Sequence, residues 1–499
     1  MEFSLTFGDS LPERDVERDP SNPFHILVLA DLGAKEPWGE PVTVDRDNID
    51  EVFKRLDVRL TLSFAPGAPG VEIGFREFDD FHPDGLFQQF ELFESLRTRR
   101  RRLKNSETFD AEAAAILGAS GPSDSSAATD SPEQPTQPDV DTGDLLDMAV
   151  EKAEVRQKSF ADQIAAGQLN IDDYARQVVE PYVLAKADPR QPEFIACVDE
   201  AISASMRRLL HQPRFQRLEA TWLGVRMLVR RLETDAKLKI HLLNVPKQQL
   251  AEDLLGTDDM TRCQLYRLLV DAADVPGAEP WSIVVGDYIL NESGSDPELA
   301  GRLAKIHEAA GSVFLAGGSS SLFGCENLAT TPDPDDWNDL SDESAAAWKA
   351  VRSLPATGHV GLMAPRLLGR IPYGAKSDRI ESFAFEEISG DSEHDDYCWM
   401  NGAYGAATLL GDGFSRDGWN LNVASLAKKL GNLPMHVFKR DGNSVVKPCA
   451  EVELQLRAEE QFAGCGLTAI YSIRGQDSVR IPTLRSLSAR DDSLAGAWR

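Results

Sequence analysis

Positive charge is scarce in this 499-residue chain: 52 lysines and arginines stand against 81 aspartates and glutamates, a formal net charge of −29. That balance argues against a nucleic-acid partner, which needs a basic face, and favours solubility or docking on a basic protein surface. Long apolar runs are missing too. None approaches the roughly 18 residues of a membrane span, and Met1-Glu2-Phe3-Ser4 does not open a basic-then-apolar secretory signal. The six cysteines (Cys197, Cys263, Cys325, Cys398, Cys449 and Cys465) are scattered without a CxxC pair. They read as reduced, small buried hydrophobes of a cytoplasmic protein, not as a disulfide framework.

The signatures of catalysis are equally thin. Gly317-Gly318-Ser319 sits in a glycine-rich stretch, but no lysine follows it as a P-loop requires and the spacing GxGxxG is absent, so a strand-end turn is the plainer reading. Glu393-His394-Asp395-Asp396-Tyr397-Cys398 gathers metal-ligating residue types without a second spaced cluster, and reads as a solvated loop. His25 lies inside an apolar run and suits a satisfied core histidine. Asp31 and Asp287 each end an apolar run and suit caps for the next element, becoming acid–base candidates only if they face a pocket; an enzyme would require such a pocket around Asp287 or His394. No HExxH, GxSxG or paired-carboxylate helix face occurs. No metal or cofactor is expected, and the question turns from catalysis to assembly.

What the chain does hold is enough apolar residue, 42%, for sizeable cores, over a length that predicts two or more folded units. Residues 1–117 offer a buried strand at Phe24–Asp31 and a helix from Ile49 capped by Asp47 or Asn48. Two alternating strands follow at Leu60–Phe64 and Val71–Phe75, then an amphipathic helix through Leu103. Near that helix's end lie Arg97, Arg99, Arg100, Arg101, Arg102 and Lys104, a basic run suited to pairing with an acidic neighbouring protomer; nucleic-acid contact and a plain solvated face stand as alternatives. Residues 118–143 carry five acids and no base among Ser, Pro, Thr and Gln, the composition of a disordered linker. From Asp144 onward, helical spacing over Phe194–Leu232 precedes strands at Lys239–Val245, Trp281–Tyr288 and Val313–Gly317, with a helix over Leu299–Ala310. Strands alternating with helices predict an α/β fold with a mostly parallel or mixed sheet.

An ordered series of short motifs then carries a resemblance. Residues 317–324, Met363-Ala364-Pro365-Arg366 through Arg370-Ile371-Pro372-Tyr373-Gly374, Phe383-Ala384-Phe385-Glu386-Glu387 and Trp399-Met400-Asn401-Gly402-Ala403-Tyr404 are similar to the large subunit of the contractile sheath of bacterial type VI secretion systems. So are His211–Gly224, Leu242-Leu243-Asn244-Val245 and Val285-Gly286-Asp287-Tyr288. Pro23–Val52 and Phe75-Arg76-Glu77-Phe78 through His82-Pro83-Asp84 resemble the small subunit. The resemblance implies a small-subunit-like part (1–117) and a large-subunit-like part (144–499), fused by the linker and packed as a pseudo-heterodimer. It implies a non-enzymatic, cytoplasmic protein working by protein–protein assembly with sheath, tube or baseplate proteins, or else a non-polymerising adaptor for them. A helix at Leu145 and Leu146 stands where the family's large subunit is recognised by a recycling hexameric ATPase. Family large subunits run further beyond the segment matching Phe462–Leu467, so a shortened accessory, end-cap or reduced sheath component is expected.

Overall fold

The computed structural model describes residues 5–12, 21–63, 70–105, 108–118, 190–275, 277–388, 394–426, 428–440, 442–490 and 493–498. Beyond Gly118, the linker expected up to Gly143 and the helix expected to hold Leu145 and Leu146 lie outside these residues.

The small part begins with β1 (Phe24–Ala30), whose seven residues are all buried. After β2 (Val42–Val44) comes α1 (Ile49–Leu56), with Asp50 and Glu51 in its first turn and Lys54 and Arg55 in its last, each facing the favourable end of the helix dipole. Asn48 occupies the N-cap position, but its side chain does not cap: it turns back to accept from the Asp45 N–H at 2.9 Å and donate to the Thr43 carbonyl. Strands β3 (Arg59–Leu62) and β4 (Val71–Gly74) pair as an antiparallel hairpin. The single helix expected through Leu103 is divided into α2 (Pro83–Gln89) and α3 (Glu94–Lys104), because the backbone turns extended at Phe90; α4 (Phe109–Gly118) follows.

In the large part, α5 (Gln191–Leu210) and α6 (Pro213–Arg231) are separated at Pro213, which opens α6 where its missing N–H costs nothing. The chain continues through β5 (Leu238–Asn244), α7 (Lys247–Leu255), β6 (Ile283–Leu290), α8 (Asp296–Ala310), β7 (Val313–Gly318), α9 (Asp342–Arg352) and β8 (Val360–Ala364). Short strands β9 (Leu367–Leu368) and β10 (Trp399–Met400) pair ahead of α10 (Ala403–Asp417). Then come β11 (Lys429–Leu430), the hairpin β12 (His436–Arg440) and β13 (Asn443–Lys447), α11 (Ala458–Cys465), β14 (Leu467–Ala469), β15 (Tyr471–Ser472) and β16 (Val479–Arg480).

Seven strands form the main sheet in the order β14-β8-β7-β6-β1-β5-β2. Every neighbour pair is parallel except β2 with β5. The decisive feature is the place of β1. Phe24–Ala30 runs beside Leu238–Asn244 for its whole length, and Ile26–Leu29 pairs with Ile283–Gly286 on the other side. Both neighbours of β1 belong to the large part. The two parts expected to pack as a pseudo-heterodimer are, among the described residues, joined through one shared sheet.

Its two faces are the two cores. Ile26 and Val28 join Val52, Phe53, Ile202, Trp222 and Tyr404 on one side; Leu27 and Leu29 join Leu250, Leu299, Leu303 and Phe462 on the other. A strand buried on both faces needs a near-continuous apolar run, which FHILVLA supplies apart from His25, whose imidazole lies 3.1 Å from Glu279. At about 1.5–3 kcal/mol for each fully buried large aliphatic side chain, the small part contributes stabilisation the large part cannot replace. Residues 190–498 expressed without the small part should be insoluble or unfolded, and co-expression with residues 5–118 should recover soluble protein, as measured by circular dichroism and co-purification.

Candidate functional site at the seam of the two parts

Polar clasps hold the carboxyl end of β1. Asn244, the last residue of β5, accepts from the Leu32 N–H at 2.9 Å and donates to the Ala34 and Glu36 carbonyls at 3.0 and 3.1 Å. One buried amide thus fixes the whole turn after β1. Trp222 of α6 donates its indole N–H to the Leu32 carbonyl at 3.3 Å and stacks on Phe53 of α1 with ring centroids 3.8 Å apart. Further along the seam, Asp84 at the start of α2 accepts from the Glu381 and Ser382 backbone N–H groups at 3.0 and 2.9 Å. Those bonds outweigh burial and hold its carboxyl below the usual range. Arg226 lies over the Phe78 ring at 4.0 Å.

Beside this seam, motif residues far apart in the chain meet in a buried ion cluster. Arg370 donates to both carboxylate oxygens of Glu219 (2.6 and 3.2 Å) and of Glu387 (2.7 and 2.9 Å). His211, at the end of α5, lies 3.7 Å from Glu387 and 3.1 Å from Asp396. Burial opposes charge on every member, so the partners decide the outcome. For His211, burial is outweighed by hydrogen bonds and attraction from Asp396 and Glu387, which raise it to about 9. For Glu387, burial is outweighed by Arg370 and His211, which bring it down to about 2. Glu219 faces one cation and the like charge of Glu387; there burial prevails and its pKa is raised despite the bidentate pair. Gly224 completes the packing, since a Cβ there would overlap the Tyr404 ring.

A groove of about 1260 Å³ opens over the seam, where Asp31 and Lys35 share its lining with Arg214, Lys247, Asp287 and Arg366. A smaller pocket of about 310 Å³ beside it includes Ser319, His394 and Glu451. Asp287 does not end its strand or cap a helix, as the sequence suggested: it lies within β6 and accepts from the Thr221 hydroxyl at 2.6 Å, with its pKa raised by burial. Asp31 closes a turn, accepting from the Gly33 N–H at 3.2 Å. His394 and Cys398 are not on a solvated loop. His394 contacts Glu451 at 3.2 Å and Lys447 at 2.9 Å and stacks on Trp399, and Cys398 is buried. Gly317 and Gly318 end β7 as expected, but their role is close packing: a Cβ on Gly317 would overlap Ile289. Asp31 and Asp287 thus line the groove and His394 the smaller pocket, each hydrogen-bonded to a neighbour inside the chain. Among the described residues no group of three or more His, Cys, Asp or Glu is placed to hold a metal.

Of the basic run, Arg100 crosses the seam inside the chain, reaching Asp199 of α5 and donating to the Ser382 carbonyl at 3.0 Å. Arg102 pairs with Glu112 at 3.2 Å and Arg99 approaches the same carboxylate at 3.9 Å, while Arg101 is exposed. Sequence reasoning quoted the stretches containing His211, Glu219, Asn244, Arg370 and Glu387 without assigning them partners. Nothing in their local sequence set them apart from the neighbouring polar residues of the same stretches.

Fold and seam together define a two-part structural protein, in which one part supplies a central strand of the other's sheet and recurrent motif residues fasten the join. Residues 192–488 match the VipB family, described as EvpB/VC_A0108, tail sheath N-terminal domain, and residues 12–113 match the family described as Type VI secretion system, VipA, VC_A0107 or Hcp2. The chain belongs to the type VI secretion tail sheath family, with a VipA-like part fused to a VipB-like part. It is 31% identical over 290 residues to the type VI secretion system sheath protein TssC1 of Pseudomonas aeruginosa, an alignment spanning 57% of this chain and 58% of that protein. The family is structural and not enzymatic.

The ion cluster has two measurable consequences. Arg370→Met strands two buried carboxylates and should cost about 3–5 kcal/mol in chemical denaturation. His211 has a folded pKa raised from 6.5 to about 9, so its contribution is complete below about pH 6.5 and is lost as pH rises through 9. The stability gap between wild type and His211→Gln should accordingly shrink between those values, as followed by denaturant titration at a series of pH values.

Proposed function

We propose that this chain is a fused protomer of a type VI secretion contractile apparatus, acting by assembly and without catalysis. The observation that carries the reading is that β1 of the VipA-like part lies between β5 and β6 of the VipB-like part. Two family members that match different segments meet here as one folded body, and fusion fixes their stoichiometry at one to one. The partners are sheath, tube or baseplate proteins of the same machine. A cytoplasmic location fits this role, and no helix among the described residues is long and apolar enough to cross a membrane. Recognition of Leu145 and Leu146 by a recycling hexameric ATPase is part of the proposal and rests on the family likeness. Within the basic run, Arg101 and Lys104 are the exposed members best presented to a neighbouring protomer, since Arg99, Arg100 and Arg102 have acidic neighbours inside the chain.

Electron microscopy of the purified chain, alone and with the tube protein of the same system, tests the reading. Filaments or rings are expected. A monomer that stays monomeric at high concentration and binds sheath or baseplate components would reassign the protein as an adaptor.

A further inference from the structure

The β12–β13 hairpin has one face committed to the body of the protein and one face open. On the committed face, His436 meets the Tyr397 hydroxyl at 3.0 Å and Lys447 lies over the Tyr397 and Trp399 rings at 5.0 and 5.4 Å. The other face presents Val437, Lys439, Ser444 and Val446, all exposed. Register places Val437 opposite Val446 and Lys439 opposite Ser444. Valines that are 53% and 39% exposed and directly paired form a small apolar platform where a solvent-facing strand normally carries polar residues.

Charge identifies what the platform fits. In a chain of net charge −29, residues 428–447 hold Lys428, Lys429, Lys439, Arg440 and Lys447 with Asp441 as the one acid. Residues 326–343 hold Glu326, Asp333, Asp335, Asp336, Asp339, Asp342 and Glu343 with no lysine or arginine. Arg457 pairs with Asp333 and Asp335, whereas Asp336, Asp339, Asp342 and Glu343 are exposed. Among the described residues no ion pair joins the two stretches within the chain. Trp337, half-buried among those acids, offers apolar surface of its own.

We propose that the open hairpin face docks on the acidic stretch Asp333–Glu343 of a second copy, with Val437 and Val446 against the Trp337 surface and Lys439 among the carboxylates. The two patches differ, so the contact is head-to-tail and propagates into rings or filaments. This contact rests on the assembly reading above and names one of its surfaces.

Sedimentation velocity on the full chain provides the test. Lys439→Glu should raise the concentration needed for self-association by about tenfold or more, and Asp336→Lys with Asp339→Lys should do the same. Val437→Ser with Val446→Ser should weaken association without altering the circular dichroism spectrum. Mixing the Lys439→Glu chain with the Asp336→Lys/Asp339→Lys chain should restore assembly, because each supplies what the other lost. If Lys439→Glu assembles like wild type, or the mixture stays apart while wild type assembles, this contact is wrong and the assembly function stands. A wild-type chain that never associates overturns both.

Discussion

The parallel pairing of β1 between β5 and β6 is the constraint on which everything else depends. A strand in the middle of a sheet has no free backbone donors or acceptors to give to solvent, and its side chains must be covered on both faces. Removing it would open two ladders and expose apolar surface on both sides of the sheet. The small part is consequently not an ornament attached to a finished domain. It is a structural component of the large part's core, and the fusion holds in one chain two segments that match different family models.

The seam shows how polar residues are used once apolar burial has set the register. Asn244 satisfies three backbone groups of the turn after β1, and Asp84 satisfies two backbone donors of the large part. Each replaces water with a fixed partner, so the joint has one geometry and not a range of slippery ones. The Arg370 cluster follows the same logic with charge. Buried charges of this kind contribute little net stability compared with apolar packing, but removing one member is expensive because the rest remain buried. Such a cluster penalises misalignment of α5, α6 and the Arg370–Glu387 segment more than it rewards correct alignment.

The groove over the carboxyl ends of the strands is where an α/β enzyme would keep its chemistry. Its residues and those of the pocket beside it bond within the chain: Asp287 with Thr221, Arg366 with Glu451, and His394 with Glu451 and Lys447. These pairs tie loops from distant parts of the chain together.

Composition, hydrophobic runs and glycine placement determined a good deal of this protein by themselves. Phe24–Asp31 is a compact apolar run broken only by His25, so a buried strand was legible there, while its burial on both faces was not. Pro213 marked the break between two long helices, and the motif series carried the likeness to the family. What the sequence could not disclose was adjacency. Nothing in the spacing of Phe24 and Leu238 shows that they are neighbours in one ladder, or that Glu219, Arg370, Glu387 and His211 share one site, because those contacts span many residues and each end looks like an ordinary motif position. The same holds for Asp287 and His394, which local patterning placed at a strand end and in a solvated loop. Burial depends on what the rest of the chain packs above a residue, and only the tertiary structure decides that.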